Sequence, residues 1–84
     1  MSRVVYKYQL HSTSVLLLPM GSEVIHVGLD SRDYKSIWVL QDESRDKIEY
    51  TFVIRGTGHE VEDNLWHVGT IMELPFIWHV FQKL

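Results

Sequence analysis

The chain of 84 residues carries a formal net charge of −3, which argues against general binding of DNA or RNA because a basic surface normally supplies most of that affinity. Its length allows one β domain, residues 1–84, with a core too small to leave much spare stability. It has no cysteine, so disulfides and thiolate metal sites are excluded. The longest apolar run, Val15–Leu18, is far too short to cross a membrane. We therefore expect no membrane partner, and we see no signal-peptide pattern in the first residues.

Strand patterns follow one another along the chain, and no helix pattern of convincing length is present. Segments with β-rich or alternating patterns are Val4–Leu10, Val15–Leu18, Glu23–Asp30, Tyr34–Gln41, Tyr50–Arg55, Leu65–Leu74 and Phe76–Phe81. Polar, glycine-bearing or proline-bearing turns separate them. This succession predicts an all-β fold, either a compact six- to seven-stranded antiparallel sandwich or a partly open barrel. Residues 60–64 could form a single helical turn or a loose loop, so at most one short helical turn is expected.

Three of these strands carry more specific expectations. Glu23–Asp30 alternates, and the side chains predicted to face the core are Ile25, Val27 and Leu29. Tyr34–Gln41 is apolar on both faces, which is typical of a central strand or of one covered by a second subunit. Gly69 interrupts the strand pattern of Leu65–Leu74 and suggests a β-bulge there.

The stretch Tyr50–His59, with the sequence Y-T-F-V-I-R-G-T-G-H, joins a strand to a glycine-rich turn. Its alternation predicts three core side chains: Tyr50, Phe52 and Ile54. Gly56 and Gly58 permit backbone conformations that other residues rarely adopt. A rigid strand therefore delivers a flexible turn that is rich in hydrogen-bond donors.

This turn has the parts of an anion-binding loop. Converging backbone N–H groups, a hydroxyl at Thr57 and a bidentate cation at Arg55 are groups that hold phosphate. The pattern is neither a Walker A loop nor a dinucleotide fingerprint, so a plain turn stays as the alternative. The candidate contact residues are Arg55, Thr57, Gly58 and His59. If they bind a ligand, Arg55→Ala should weaken binding and leave folding nearly intact.

The histidines and the catalytic residue types form no recognisable motif. The histidines are His11, His26, His59, His67 and His79, and they lack the short-range pairing of a zinc site. We expect solvated or hydrogen-bonded histidines, no metal and no cofactor. There is no cysteine nucleophile, no G-x-S-x-G elbow and no placed carboxylate pair. A Ser-His-Asp set stays open because triads assemble in space, but we expect a protein that is not an enzyme.

A tryptophan–histidine pair occurs twice, as Trp66-His67 and as Trp78-His79. Neighbours on a strand face opposite ways, so each pair should offer one buried ring and one exposed ring. An outward tryptophan could stack on a nucleobase, which is worth about 1–3 kcal/mol. We expect Trp78, between two apolar neighbours on its face, to be core, whereas Trp66 could face either way.

Six landmarks run through the chain in a fixed order. They are Y-K-Y (Tyr6–Tyr8), L-P-x-G (Leu18–Gly21), Trp38, F-x-I-x-G-T-G-H (Phe52–His59), V-G-T (Val68–Thr70) and F-x-W-H-V-F (Phe76–Phe81). In these landmarks the chain resembles a family of small phage-encoded proteins of mostly unassigned function. By analogy of role and architecture, it looks like the anti-CBASS sponges, which hold cyclic nucleotide signals of bacterial defence without cleaving them.

The resemblance implies a cytoplasmic protein of the infected bacterium that sequesters a cyclic di- or trinucleotide. It also implies a homo-oligomer, a dimer or tetramer, with ligand sites at subunit contacts. In that function Arg55, Thr57, Gly58 and His59 would hold phosphate or ribose. The stacking residues would be Trp66, together with Tyr8 or Trp38. The alternatives are a module that blocks a host protein by edge-strand pairing or an aromatic hot spot, and a small virion or assembly component.

Overall fold

The computed structural model describes residues 2–83, which form seven β-strands. The strands are β1 (Val4–Gln9), β2 (Thr13–Pro19), β3 (Glu23–Leu29), β4 (Lys35–Gln41), β5 (Lys47–Gly56), β6 (Leu65–Glu73) and β7 (Phe76–Lys83). The predicted all-β fold is confirmed, and residues 60–64 form a loop rather than a helical turn. Within residues 2–83, no helix is long and apolar enough to cross a membrane.

The strands form two antiparallel sheets, one with the order β1-β4-β3 and one with the order β2-β5-β7-β6. The arrangement is an open sandwich and not a closed barrel. β4 lies between β1 and β3, as its two apolar faces indicated. Its core side carries the fully buried Ile37 and Val39, while Trp38 and Leu40 are half-buried on the other face.

The core lies between the inner faces of the two sheets. Its buried apolar side chains are Leu10, Leu18, Ile37, Val39, Phe52, Ile71 and Val80. Tyr50 and Ile54 are partly buried and pack against this cluster. The predicted core face of β5 is therefore confirmed, because alternate residues of a strand point to the same side.

In β3 the predicted inward face is partly wrong. The pairing of β3 with β4 shifts register between Val24 and His26, and the extra residue, Ile25, is 51% exposed. Val24 instead packs against the core, together with Val27 and Leu29. A β-bulge explains the correction, since one additional residue reverses the alternation on one side of it.

The predicted bulge in β6 is confirmed, because the pairing with β7 shifts register between His67 and Gly69. At this point β6 approaches β3 of the other sheet very closely. A Cβ atom placed on Gly69 would lie 2.6 Å from Val27 Cγ2 and 2.7 Å from Val27 Cβ. Glycine thus lets the two sheets meet along these strands.

The β3–β4 turn is organised by the Asp30 carboxylate. Its Oδ2 accepts a hydrogen bond from Lys7 Nζ at 2.9 Å, and its Oδ1 accepts bonds from the backbone N–H groups of Arg32 and Tyr34 at 2.8 and 3.0 Å. The Lys7 ammonium first, and then these backbone N–H groups, lower the pKa of Asp30 to about 2. The ionised carboxylate therefore holds the turn and ties it to β1.

Asp30 should make the fold sensitive to acid. Its pKa is depressed in the folded state, so its stabilising effect is complete above the ordinary carboxyl pKa and is lost as the pH falls from about 4 to about 2. Urea unfolding at a series of pH values should show this loss, and Asp30→Asn should remove part of the pH dependence. The control is Asp63→Asn in the exposed β5–β6 loop. An acid profile that is the same in wild type and Asp30→Asn would contradict the assignment.

Candidate functional site

The G-T-G-H turn after β5 is closed by its own hydrogen bonds. His59 N–H donates to the Gly56 carbonyl oxygen at 3.1 Å, and Gly56 N–H donates to His59 Nδ1 at 3.2 Å. Gly58 has a φ of +91°, a conformation that favours glycine. Because Nδ1 of His59 accepts a hydrogen bond, the neutral ring carries its proton on Nε2. The turn therefore presents His59 Nε2–H as a donor.

Thr57 attaches this turn to the first residues of β7. Its backbone N–H donates to the Ile77 carbonyl oxygen at 3.4 Å, and its hydroxyl lies 2.9 Å from His79 Nε2. The strand order makes these contacts possible, since β7 pairs directly with β5 and places Trp78 opposite Gly56. The turn is thus held beside the beginning of β7.

Between the turn and β7 lies a groove of about 290 Å³, which we call the turn groove. One side is formed by Gly56, Thr57 and His59, and the other by residues 75–78. The rings of Phe76 and Trp78 stack there, with centroids 5.7 Å apart and an interplanar angle of 25°. Phe76 is 56% exposed. The groove therefore combines hydrogen-bond donors on one side with an accessible aromatic ring on the other.

Arg55, a predicted contact residue, does not line the turn groove. It pairs with His79 across the outer face of the second sheet. Its Nη2 donates to both carboxylate oxygens of Glu62, at 3.0 and 3.1 Å, and its Nη1 donates to the Ile54 carbonyl oxygen at 3.2 Å. A hydrogen bond from the backbone N–H of Glu62 itself, and then the bond from Arg55, lower the pKa of the Glu62 carboxyl. Arg55 is thus largely neutralised by an ionised partner.

The predicted stacking residues lie apart from the turn groove and from one another. Tyr8 packs against the core, and its hydroxyl donates to Gln41 Oε1 at 2.9 Å. Trp38 lies on the opposite face of the same sheet, with its ring 5.0 Å from that of His26. Trp66 is 61% exposed on the edge strand β6. The structure therefore separates all three from the turn.

Sequence reasoning missed Phe76, whose ring supplies the exposed aromatic surface of the groove. Trp78 packs against the core as predicted. It lies two residues after Phe76 on the same strand, and its ring also stacks against the ring of Phe76. The available signal was the spacing of Phe76 and Trp78, because residues two apart on a strand share a face. The expected division of each tryptophan–histidine pair into one buried and one exposed ring is wrong: Trp66 and His67 are both exposed.

A chain of hydrogen bonds extends from Thr57 across the outer face of β7 and β6. His79 Nε2 lies 2.9 Å from the Thr57 hydroxyl, and His79 Nδ1 lies 3.3 Å from the Thr70 hydroxyl. Thr70 in turn lies 3.1 Å from His67 Nε2. Across residues 2–83, no three side chains of the metal-binding types converge. The network orients Thr57 and thereby the turn.

Comparison with known proteins adds one finding to this geometry. No curated protein and no solved structure matches the chain. One family model matches residues 1–84, over the whole chain. The chain therefore belongs to the family described as a domain of unknown function, DUF7352.

Proposed function

We propose that the protein is a non-enzymatic sponge that binds a cyclic di- or trinucleotide signal and sequesters it without cleaving it. The observation that carries the proposal is the turn groove, in which Gly56, Thr57 and His59 of the turn line one side and the exposed ring of Phe76 lines the other. Nucleotides need both kinds of contact, hydrogen bonds to phosphate or ribose and stacking for the base. The resemblance to small phage proteins supports the same function.

The phosphate or ribose would lie against the turn. His59 Nε2–H is the donor that lines the groove. The Thr57 hydroxyl also lies there, but it is 2.9 Å from His79 Nε2 and 3.5 Å from the Ile77 carbonyl oxygen, so a ligand would have to displace one of these partners. The Gly58 backbone N–H donates to none of residues 2–83, although Gly58 does not line the groove. A hydrogen bond to a charged group such as phosphate contributes about 1.5–3 kcal/mol. With Arg55 held by Glu62, these neutral groups and not a free guanidinium would hold the phosphate.

The base would stack on Phe76, which contributes about 1–3 kcal/mol. The groove of about 290 Å³ lies at the lower limit of small-molecule sites, about 300–1,000 Å³, and is open to solvent. A cyclic dinucleotide would extend beyond it, which leaves part of the ligand for a second copy of the chain to cover. We therefore include a dimer or tetramer, acting in the cytoplasm of an infected bacterium, in the proposal.

The edge strand β2 supports self-association. Within residues 2–83 it pairs with β5 alone, and its exposed side carries Val15 and Leu17, which are 57% and 63% exposed. β2 contains no charged residue, and its one proline, Pro19, stands at its last position. Edge strands that stay unpaired are usually protected by charge, by proline or by a bulge, and Thr13–Leu18 lacks charge and proline. Strand β2 of a second copy of the chain could pair with this edge and extend the four-stranded sheet.

Thermal shift against cyclic di- and trinucleotides and ADP-ribose derivatives tests the sponge. A ligand that binds the folded state at about 100 times its Kd stabilises it by about 2.7 kcal/mol, which raises the Tm of a domain this small by several degrees. Heat denaturation should then release that ligand chemically unchanged, as judged by chromatography and mass spectrometry. A panel without any shift, or a cleaved ligand, would contradict the proposal.

The exposed apolar edge of β2 also favours a second candidate, a module that blocks a host protein by edge-strand pairing. Light scattering separates the candidates, because self-pairing predicts a dimer or tetramer of the pure protein. A monomer without nucleotide affinity, whose capture of a host protein is lost in Leu17→Lys, would favour the blocking module.

A further inference from the structure

A second cleft opens near the β1–β2 turn, and we call it the end cleft. Its volume is about 380 Å³, within the range of small-molecule sites, about 300–1,000 Å³. The residues that line it are Leu10, His11, Ser12, Lys35, Ile54 and Trp78. Only Trp78 is shared with the turn groove. The end cleft is thus a separate concave surface that nothing in the proposed function uses.

The polar side of the end cleft is held in place by an ion pair. Trp78 Nε1–H donates to Glu73 Oε1 at 3.0 Å, and Lys35 Nζ lies 3.3 Å from the same oxygen. Lys35 Nζ also lies 4.8 Å from the centroid of the Trp78 ring, within the range of a cation–π contact. The hydrogen bond from Trp78 first, and then Lys35, lower the pKa of Glu73, so its carboxylate stays ionised. The indole and the ammonium group are therefore oriented before any ligand arrives.

The charges and surfaces of the cleft indicate the class of ligand. Lys35 is balanced by Glu73, so an anion would have to compete with a bound carboxylate. The floor is apolar, with Leu10 buried and Ile54 and Trp78 partly buried. Donors remain at the rim, from the Lys35 ammonium and the Ser12 hydroxyl. A neutral flat ring with acceptor atoms on its edge can pack against the apolar floor and accept hydrogen bonds from the donors at the rim.

We propose that the end cleft binds a neutral heteroaromatic ring of the nucleobase class. The ring packs against Leu10, Ile54 and the indole, while its carbonyl or ring nitrogen accepts from Lys35 or Ser12. The base has two sources, a separate nucleoside or the second base of a nucleotide held in the turn groove. In the second case the inference rests on the proposed function and extends it.

Nuclear magnetic resonance with adenosine and guanosine tests the site, because nucleosides have a base but no phosphate. The full chain labelled with nitrogen-15 has three tryptophan indole N–H signals, which Trp→Phe variants assign. Adenosine or guanosine should shift the Trp78 signal and the backbone amide signals of His11 and Ser12 with saturation. The Trp66 signal should stay unchanged. The absence of a saturable shift at Trp78 would overturn the proposal.

Ser12→Leu fills the cleft and should weaken nucleoside binding by about tenfold or more, a loss of about 1.4 kcal/mol. The substitution keeps the backbone carbonyl of residue 12, which accepts a hydrogen bond from Ile54 N–H at 3.0 Å. Ser31→Leu, in the exposed β3–β4 turn, is the matched control and should bind as wild type does. Equal affinity in Ser12→Leu and wild type would overturn the proposal.

The nucleotide panel keeps this proposal separate from the sponge. A flat panel together with nucleoside binding at Trp78 would support the end cleft and contradict the sponge. If Ser12→Leu and Phe76→Ala both weaken the binding of a cyclic nucleotide, one ligand spans both surfaces. If Ser12→Leu weakens only the binding of nucleosides, the end cleft is a separate nucleoside site.

Discussion

Gly69→Ala should destabilise the fold by about 1–3 kcal/mol, the usual cost of overpacking a close contact. The added Cβ would lie 2.6 and 2.7 Å from two atoms of Val27. Valine is stiff at χ1, and its Cβ position is fixed by the backbone, so the strain must move β3 or β6. This contact joins the two sheets, and a domain this small has little stability to lose. Urea unfolding measures the change directly.

Moving the glycine to the other strand should relieve the clash. Val27→Gly alone loses an apolar side chain from the edge of the core, and Gly69→Ala alone introduces the overlap. Combined in one chain, the two substitutions should cost less than the sum of their separate effects, which gives a coupling free energy in a double-mutant cycle. Additive effects would show that the Gly69–Val27 approach does not limit the packing of the sheets.

Gly58→Ala is the control for this cycle. A Cβ on Gly58 would meet no atom within 4 Å, but its φ of +91° disfavours any other residue. The substitution should therefore be destabilising through backbone conformation alone, by about 1–2 kcal/mol. Val27→Gly should add to it without any coupling. If Val27→Gly also reduced the destabilisation caused by Gly58→Ala, the coupling measured between Val27 and Gly69 would not be specific to their contact.

Phe76→Ala should weaken the nucleotide found by the panel by about 1–3 kcal/mol, roughly 5- to 150-fold in Kd. Phe76 is more than half exposed, so most of its ring is available to a ligand and little of the core depends on it. Isothermal titration calorimetry measures the change in Kd, and urea unfolding verifies that the variant is folded. Leu74→Ala is the matched control, since Leu74 is a large exposed apolar residue that does not line the turn groove.

Arg55→Ala distinguishes the turn groove from the outer face of the sheet. If the ligand lies in the groove, removal of Arg55 should change Kd little and stability by no more than about 1 kcal/mol, because exposed ion pairs contribute little. If the ligand lies on the outer face, Arg55→Ala should abolish binding while Phe76→Ala leaves it intact. That second result would reject the groove and restore Arg55 as the contact residue.

Local patterns in the sequence predicted most of the fold. The alternation of Tyr50, Phe52 and Ile54 identified the core face of β5, because side-chain direction in a strand depends only on the neighbouring residues. Gly69 marked the bulge in β6 because its lack of a side chain is visible in the sequence. No glycine accompanies the bulge at Ile25. An aliphatic residue at that position fits the alternating pattern, so it was predicted to face the core.

Local sequence patterns predicted the turn of the candidate site but not the residues that lie beside it. The conformation of Gly58 and the Nε2–H donor of His59 are local properties of the G-T-G-H turn, so the sequence by itself determined them. The partners of the turn depend on strand order, which local periodicity does not contain. Only the tertiary structure decided that β7 pairs with β5, which brings Phe76 beside the turn and leaves Tyr8, Trp38 and Trp66 elsewhere. The capture of Arg55 by Glu62 likewise depends on how the following loop folds back, since contacts between distant residues are set by packing and not by the local pattern.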